Sequence, residues 1–292
     1  MSSQSHVLKP LHRTALALAI IGVIGSATIA SAASSIMHLG RGGQPPSAGV
    51  IENKAAPNEN TGGNPGVLPP GSHAFGLSQG EWSAKWWQWA FSFRADAHPL
   101  LDTAGCDAGQ SGPVWFLGGS FVNTTVVREC TVPAGKVIFF PVLNTECSTI
   151  EGPPFFGSNE AELRACAAAV TNTGMFATID GVAVQNLSSY RVQSPLYVFS
   201  APDGGLFGGP VSGAQSISDG VWLMLAPLSA GRTHTIHFGG TQTIPGFPSL
   251  TLDVTYNLRV VGQHGHHRGD HDDSEDPQVQ ASNWGLVKKL YK

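Results

Sequence analysis

The sequence predicts a mainly β fold: an antiparallel β-sandwich or jelly-roll-like domain, with a tryptophan-rich N-terminal helix and one further short helix. In residues 250–261 apolar and polar side chains alternate, as they do on a half-buried strand. The dipeptide Asp180-Gly181 lies between two short apolar runs and is typical of a tight hairpin turn. Many short segments of this kind, separated by glycine and proline, favour sheets packed on each other.

Further strands are predicted wherever other short apolar runs occur. The segment "THTIHF" alternates and places His234, Ile236 and Phe238 on one face. His237 then points to the opposite face, so this pair of histidines cannot hold one metal ion unless the strand contains a bulge. The other predicted strands are residues 113–119, 137–143, 194–200 and 221–227.

Four of the seven tryptophans fall in the stretch "GEWSAKWWQWAFSF", residues 80–93. Ser78 and Glu81 have the spacing of a capping box, which predicts that a helix begins here. Helical spacing places four aromatic side chains on one face, where they can cover a sheet, and leaves Trp87 on the flank as the ring expected to be exposed. The four are Trp82, Trp86, Trp89 and Phe93.

A second, short helix is predicted in "SNEAELRACAAAVTNTG". Asn159 and Glu162 supply its N-terminal cap, good helix formers follow, and Gly174 is expected to end it. Cys166 on this helix would then lie close to the loop that carries Cys147.

The two ends of the chain are expected to lie outside the domain. Residues 1–32 have the basic start, apolar run and small-residue cleavage site of a signal peptide, and an uncleaved anchor is the alternative. The apolar run is shorter than the roughly 20 residues of a membrane span, so we expect the mature chain to have no transmembrane segment. We expect this chain to be secreted, periplasmic or at the cell surface. From their composition, residues 33–71 are expected to form a flexible linker, residues 72–261 to form the domain and residues 262–292 to form a polar tail.

The even number of cysteines fits this compartment. Exported cysteines form disulfides, and four of them allow three pairings. Neighbours in sequence close the smallest loops, so we expect Cys106 with Cys130 and Cys147 with Cys166. A zinc site is the alternative, although the chain has no C-x-x-C pair.

Composition and motifs exclude some classes of function. Charged residues make up 12% of the chain and the net charge is −4, which excludes the basic surface of a nucleic-acid-binding protein. The sequence has no G-x-S-x-G, H-E-x-x-H or phosphate-binding loop motif. Whether the protein is an enzyme therefore stays open at this level.

Candidate catalytic residues are carboxylates that lie beside large apolar groups. Glu81 and Lys85 are spaced to form an exposed ion pair. If burial raises the pKa of Glu81, this residue is instead a candidate general acid, with Lys85 as its neighbour. If the fold brings Glu146 and Arg191 close to Glu81, two carboxylates and an orienting arginine provide the minimum apparatus of most glycoside hydrolases. A structural pair of glutamate and arginine is the alternative.

The polar tail is the segment whose composition favours metal binding. Imidazole groups suit zinc, copper and nickel, and carboxylates suit harder cations. An ordinary solubilising tail is the alternative, and no other cofactor is predicted. The candidate ligands are His264, His266, His267, His271, Asp270 and Asp272.

Several segments resemble landmarks of an uncharacterised family of secreted prokaryotic proteins. They are "GLSQGEWSAKWWQWAFS", "GQSGPVWFLGGS", "CTVPAGKVIFFPVLNTECS" and "YRVQSPLYVF". The resemblance covers most of residues 75–261 and implies a shared domain, but it implies no activity, substrate or catalytic residue.

These features together predict an exported protein that binds a glycan or another component of the cell envelope. The ligand is expected near Trp87, with Lys85 and Asn144 beside it, because aromatic faces suit sugar rings and cationic groups. A secreted hydrolase that acts on carbohydrate through Glu81 and Glu146 is the alternative. A structural surface protein whose strands pair between subunits is a further alternative.

Overall fold

Two mixed β-sheets form the framework of the computed structural model, which describes residues 64–121 and 123–262. Strands hold 45% of these residues and helices 16%, so the prediction of a mainly β fold with two helices is confirmed. The elements are β1 (His73–Ala74), β2 (Leu77–Ser78), α1 (Gln79–Phe91), β3 (Val114–Phe116), β4 (Thr125–Pro133), β5 (Val137–Ser148), α2 (Glu160–Ala168), β6 (Thr171–Ile179), β7 (Val182–Ala183), β8 (Arg191–Gln193), β9 (Tyr197–Ala201), β10 (Val211–Leu225), β11 (Thr233–Thr243) and β12 (Leu250–Val261).

The strand order makes each large sheet mixed. The first sheet has the order β3-β5-β10-β8, with β9 also paired to β10, and the second has the order β4-β12-β11-β6-β7. Strand β3 runs parallel to β5, and β4 runs parallel to β12, so the prediction of an antiparallel arrangement throughout is wrong. Alternation along a strand reports which face is buried, but it contains no information about the direction of the neighbouring strand.

The first sheet is buried on both faces, and its sequence reflects this. One face shares a core with the second sheet, which includes Phe140, Leu223 and Phe238. The other face is covered by α1, in a second core that includes Phe139 and Trp222. Strands covered on both sides need apolar residues at almost every position, which explains the runs "VIFFPVL" and "VWLML". Strand β12 has an exposed outer face and keeps its alternation.

Helix α1 holds strand β1 and two loops against itself. It begins at the predicted capping box, in which Ser78 accepts from the backbone of Glu81 and the Glu81 carboxylate accepts from the backbone of Ser78. Three indole groups then reach carbonyl oxygens in β1 and in two separate loops, which fixes the position of each segment against the helix. The indole nitrogens of Trp82, Trp86 and Trp89 donate to the carbonyl oxygens of Ala74, Leu117 and Ala108, at 2.9, 2.9 and 3.1 Å.

Helix α2 is shorter than predicted. Asn159 caps it as expected and accepts from the backbone of Glu162 at 3.1 Å, but the helix ends at Ala168. Gly174 lies within β6. The two threonines at the start of β6 have high strand propensity, and their pairing with β11 outweighs the weak helical pattern.

Part of the predicted linker, residues 64–71, packs on the domain. Val67 and Leu68 are buried, and the backbone N–H of Leu68 donates to the carbonyl oxygen of Met224 at 2.8 Å. The predicted signal peptide, the rest of the linker and the tail beyond Gly262 lie outside the described residues. Among the helices that are described, none has the length and apolar character needed to cross a membrane.

Both disulfides are present with the expected pairing. Cys106 joins Cys130, with 5.8 Å between their Cα atoms, and so ties the loop before β3 to β4. Cys147 joins Cys166 at 6.2 Å and ties the end of β5 to α2. No cysteine is left to ligate zinc. Two disulfides are typical of a protein in an oxidising compartment.

Replacement of Trp86 by alanine is expected to lower the free energy of unfolding by about 3–5 kcal/mol, because the loss of a fully buried indole leaves a large cavity under α1. Urea unfolding of the oxidised protein measures this change. Lys85→Ala, at an exposed position of the same helix, should change the free energy by no more than about 0.5 kcal/mol. Equal effects of the two substitutions would contradict the role assigned to Trp86.

Candidate functional site

The loop after β5, residues 149–158, presents large apolar side chains to solvent. Ile150 and Phe156 are 43% and 44% exposed, and Phe247 in the connection between β11 and β12 is 46% exposed. The rings of Phe155 and Phe247 meet edge-on with 5.4 Å between their centroids, which joins the two loops. We refer to Ile150, Phe155, Phe156 and Phe247 as the aromatic edge.

The aromatic edge has a rigid base. The backbone N–H of Ser148 donates to the carbonyl oxygen of Phe155 at 3.0 Å, which folds the loop back onto β5. The loop then passes so close to α2 that a Cβ atom at Gly157 would lie 2.7 Å from the backbone nitrogen of Leu163. The disulfide between Cys147 and Cys166 joins the same two elements covalently. The backbone that carries Phe155 and Phe156 is therefore held against β5 and α2.

Neutral polar side chains lie on and beside the same two loops. The hydroxyl of Thr149 accepts from the backbone of Gln215 in β10 at 3.2 Å, and the Gln215 side chain is exposed. At the other loop, the hydroxyls of Thr243, the last residue of β11, and Ser249 lie 3.2 Å apart, and both residues are exposed. The aromatic edge is therefore flanked by groups that can donate and accept hydrogen bonds without a formal charge.

Glu146 of β5 and Glu151 of the following loop have carboxyl groups that interact with each other. Burial, and then the charge of Glu151, raise the pKa of Glu146 well above its ordinary value. Partial burial also raises the pKa of Glu151. Because Glu146 is buried beside a second carboxyl group, it retains its proton at pH values at which free glutamates have lost theirs.

Hydroxyl groups from three strands surround this pair. Ser216 forms a hydrogen bond with Glu146, and its oxygen lies 2.8 Å from the hydroxyl of Tyr197. Ser148 donates to Oε2 of Glu151 at 2.8 Å, inside the loop itself. Glu146 is only 5% exposed, so a substrate in solution cannot touch it. The pair anchors the loop of the aromatic edge to the first sheet.

Glu81 has a capping role instead of the predicted catalytic one. Its Oε2 atom accepts from the backbone nitrogen and from the hydroxyl of Ser78, both at 2.8 Å. These hydrogen bonds lower the pKa of Glu81, so the expectation of a general acid with a raised pKa is wrong. Lys85 is exposed on the next turn, and the structure contains no ion pair between these two described residues.

Arg191 pairs with an aspartate and not with a glutamate. Its Nε atom lies 2.7 Å from Oδ1 of Asp219, which is buried in β10. Glu146 has Glu151 as its carboxyl partner instead of Glu81. The predicted site of two glutamates and an orienting arginine is therefore not assembled.

The expectation that Trp87 is exposed is also wrong. The ring is 7% exposed and lies between Trp86 and Phe91, with centroid distances of 5.1 and 5.0 Å. A ring packed in this way has no free face for a ligand. The side-chain nitrogen of Asn144 is buried and has no hydrogen-bond partner among the described residues.

The histidine-rich and aspartate-rich tail lies outside the described residues, so its predicted metal binding stays a prediction. Within residues 64–121 and 123–262, no group of three or more histidine, cysteine, aspartate or glutamate side chains is arranged to hold a metal ion.

Sequence reasoning identified Glu146 but missed Glu151 and the aromatic edge. The segment "TIEGPPFFG", residues 149–157, is the sequence feature that could have revealed them. In it, large apolar residues occur in a loop rich in glycine and proline, just after a disulfide cysteine. Apolar residues in such a loop either cap the core or stay exposed, and only the packing of the neighbouring loop decides between the two.

Comparisons with protein-family models, with curated proteins and with solved structures give no match for this chain. Its function is therefore argued from its own residues.

Replacement of Glu146 by glutamine is expected to stabilise the protein by an amount that grows as the pH rises. The pKa of Glu146 is higher in the folded chain than in the unfolded chain. The stability that its carboxyl group contributes is therefore complete below the unfolded pKa of about 4.3. As the pH rises from there to the folded pKa, this contribution is lost at up to about 1.4 kcal/mol per pH unit. Glutamine keeps a donor for Glu151 but does not titrate. Denaturant unfolding of both proteins between about pH 5 and pH 8 measures the difference.

Glu129→Gln, at an exposed position of β4, is the control and should follow the wild-type pH dependence. The assignment of the retained proton to Glu146 fails if the Glu146→Gln curve also runs parallel to that of the wild type.

Proposed function

We propose that this chain is an exported glycan-binding protein, a β-sandwich whose aromatic edge contacts the sugar. The observation that carries the proposal is the exposure of Ile150, Phe156 and Phe247, at 43%, 44% and 46%, on one rigid edge of the domain. Large apolar side chains held in water at fixed positions mark a surface that binds something.

The chemistry of the surrounding groups favours a sugar over an apolar protein surface. The face of an aromatic ring is negatively polarised and attracts the partly positive C–H groups of a sugar ring. The exposed side chains of Gln215, Thr243 and Ser249 can exchange hydrogen bonds with sugar hydroxyls. The fixed loop lowers the entropy that a ligand must overcome when it binds.

The covalent structure supports export. Disulfides form and persist outside the cytoplasm, and this chain has two of them with no unpaired cysteine. The predicted signal peptide agrees with this compartment. A glycan of the cell envelope is thus within reach of the protein.

Isothermal titration of the full-length oxidised protein with neutral oligosaccharides, such as tetramers of N-acetylglucosamine and soluble cell-wall fragments, tests the proposal. Binding is expected to weaken about 3- to 10-fold in Phe156→Ala and in Phe247→Ala, because one aromatic contact is worth about 0.5–1.5 kcal/mol. Both rings are exposed, so their removal should leave the fold intact.

Phe75→Ala is the matched control, since Phe75 is also an exposed ring, 39% exposed, but belongs to the hairpin of β1 and β2. It should bind oligosaccharides as the wild type does. The proposal is wrong if no oligosaccharide gives a binding heat, or if all three alanine variants bind equally well.

A further inference from the structure

Far along the chain from the aromatic edge, a serine, a histidine and an aspartate meet where the connection between β10 and β11 reaches the second sheet. The hydroxyl oxygen of Ser229 lies 3.1 Å from Nε2 of His234. On the other side of the ring, Nδ1 of His234 lies 2.7 Å from Oδ2 of Asp180. A hydroxyl, an imidazole and a carboxylate in this order are the arrangement that activates a serine nucleophile.

The turn between β6 and β7 fixes the carboxylate. Asp180 has a φ of 50°, the left-handed conformation that the tight Asp-Gly turn requires. Its backbone N–H donates to the carbonyl oxygen of Thr235 at 2.8 Å, and its Oδ1 accepts from the backbone of Thr235 at 2.9 Å. Oδ2 faces the imidazole and also lies 3.4 Å from Nη2 of Arg232, so the ring is oriented by a carboxylate that is itself held in place.

The carboxylate also decides which ring nitrogen carries the proton. Because Oδ2 of Asp180 accepts, Nδ1 of His234 is the donor and Nε2 is the acceptor that faces both the Ser229 hydroxyl and Nε of Arg232. The carbonyl oxygen of Ser229 lies 3.0 Å from Nε2 and can accept from it once the ring is protonated. Both protonation states of the imidazole therefore have a partner, which a group that takes up and returns a proton needs.

The serine is accessible and the base is shielded. Ser229 is exposed, whereas His234 is 2% exposed. The connection that carries Ser229 is held by Leu228, which packs against the core, and by Gly231, whose N–H donates to the carbonyl oxygen of Val260 at 3.0 Å. A ligand can reach the hydroxyl, while the imidazole behind it is shielded from water.

Arg232 links this group to a shallow depression of about 270 Å³. Its Nε atom lies 3.3 Å from Nε2 of His234, the same ring nitrogen that faces the serine hydroxyl. The same arginine lines the depression together with Gly231 and Thr233. A small acyl compound bound in the depression would therefore contact a permanent positive charge.

We infer that Ser229 is the nucleophile of a second, hydrolytic site that cleaves short carboxylic esters, with His234 as general base and Asp180 as the positioning residue. Oγ of Ser229 forms a bond to the carbonyl carbon while its proton passes to Nε2 of His234, and Arg232 stabilises the negative charge on the former carbonyl oxygen. The tetrahedral intermediate breaks its bond to the alcohol oxygen, which receives the proton from Nε2. Water then repeats the two steps and releases the carboxylic acid.

A fluorophosphonate probe tests this inference on full-length oxidised protein, because the serine oxygen displaces fluoride and stays bonded to phosphorus. Mass spectrometry of the peptide that contains Ser229 is expected to find the label there, and Ser229→Ala is expected to abolish it. His234→Gln and Asp180→Asn should slow both labelling and hydrolysis of 4-nitrophenyl acetate by about 10²-fold or more.

A second histidine on the same strand provides the control. Nε2 of His237 lies 2.8 Å from Oδ1 of Asp253, but the pair is on the other face of β11, and no serine among the described residues hydrogen-bonds to this ring. His237→Gln should therefore label and hydrolyse at the wild-type rate. Urea unfolding of each variant confirms that it is folded.

The inference is overturned if Ser229 is not labelled under conditions that label a known serine esterase. It is also overturned if folded His234→Gln and Asp180→Asn label as fast as the wild type. In either case the three residues only hold the connection between β10 and β11, and Ser229→Ala would lower stability without any effect on chemistry.

Discussion

Burial of the first sheet on both faces is the constraint on which the rest of the structure depends. One face is covered by the second sheet and the other by α1, so both the central strands and the helix must be apolar over most of their surface. A single helix of 13 residues covers a broad sheet only if its side chains are very large, which accounts for four tryptophans in so short a segment. The dense aromatic stretch is thus explained by architecture, and three of its ring nitrogens position β1 and two surrounding loops.

This constraint also restricts where function can lie. With the central strands of the first sheet covered on both faces, most of the exposed groups among the described residues lie on the loops, the helices, the edge strands and the outer face of the second sheet. Two groups of titratable side chains illustrate the difference that burial makes. Glu146 is buried and its pKa is raised, so with Glu151 it anchors a loop, whereas Asp180 and His234 stand behind a serine that faces water.

Local patterns in the sequence identified the elements well. The capping residues Ser78 and Glu81, the Asp180-Gly181 turn and the alternation along β12 all depend on neighbours within a few positions, and each appears as expected. The pairing of the cysteines was also accessible, because short loops close at the least entropic cost.

Features that depend on strand order could not be predicted from local sequence patterns. Asp180 and His234 are brought together by the pairing of β6 with β11, and Glu146 meets Glu151 because a loop folds back over its own strand. Trp87 was assigned to an exposed flank because helical spacing identifies faces but not what covers them. Phe91, which packs against Trp87, also contacts Phe199 and Phe207 from other parts of the chain.

The packing under α1 gives the protein an intrinsic optical reporter. The ring of Trp86 lies 5.1 Å from that of Trp87 and 5.4 Å from that of Trp222, at steep angles of 87° and 70°. Chromophores this close, in a fixed chiral arrangement, couple their electronic transitions and produce near-ultraviolet circular dichroism that vanishes when specific packing is lost. The contact between helix and sheet can therefore be followed without any added dye, separately from events in the outer loops.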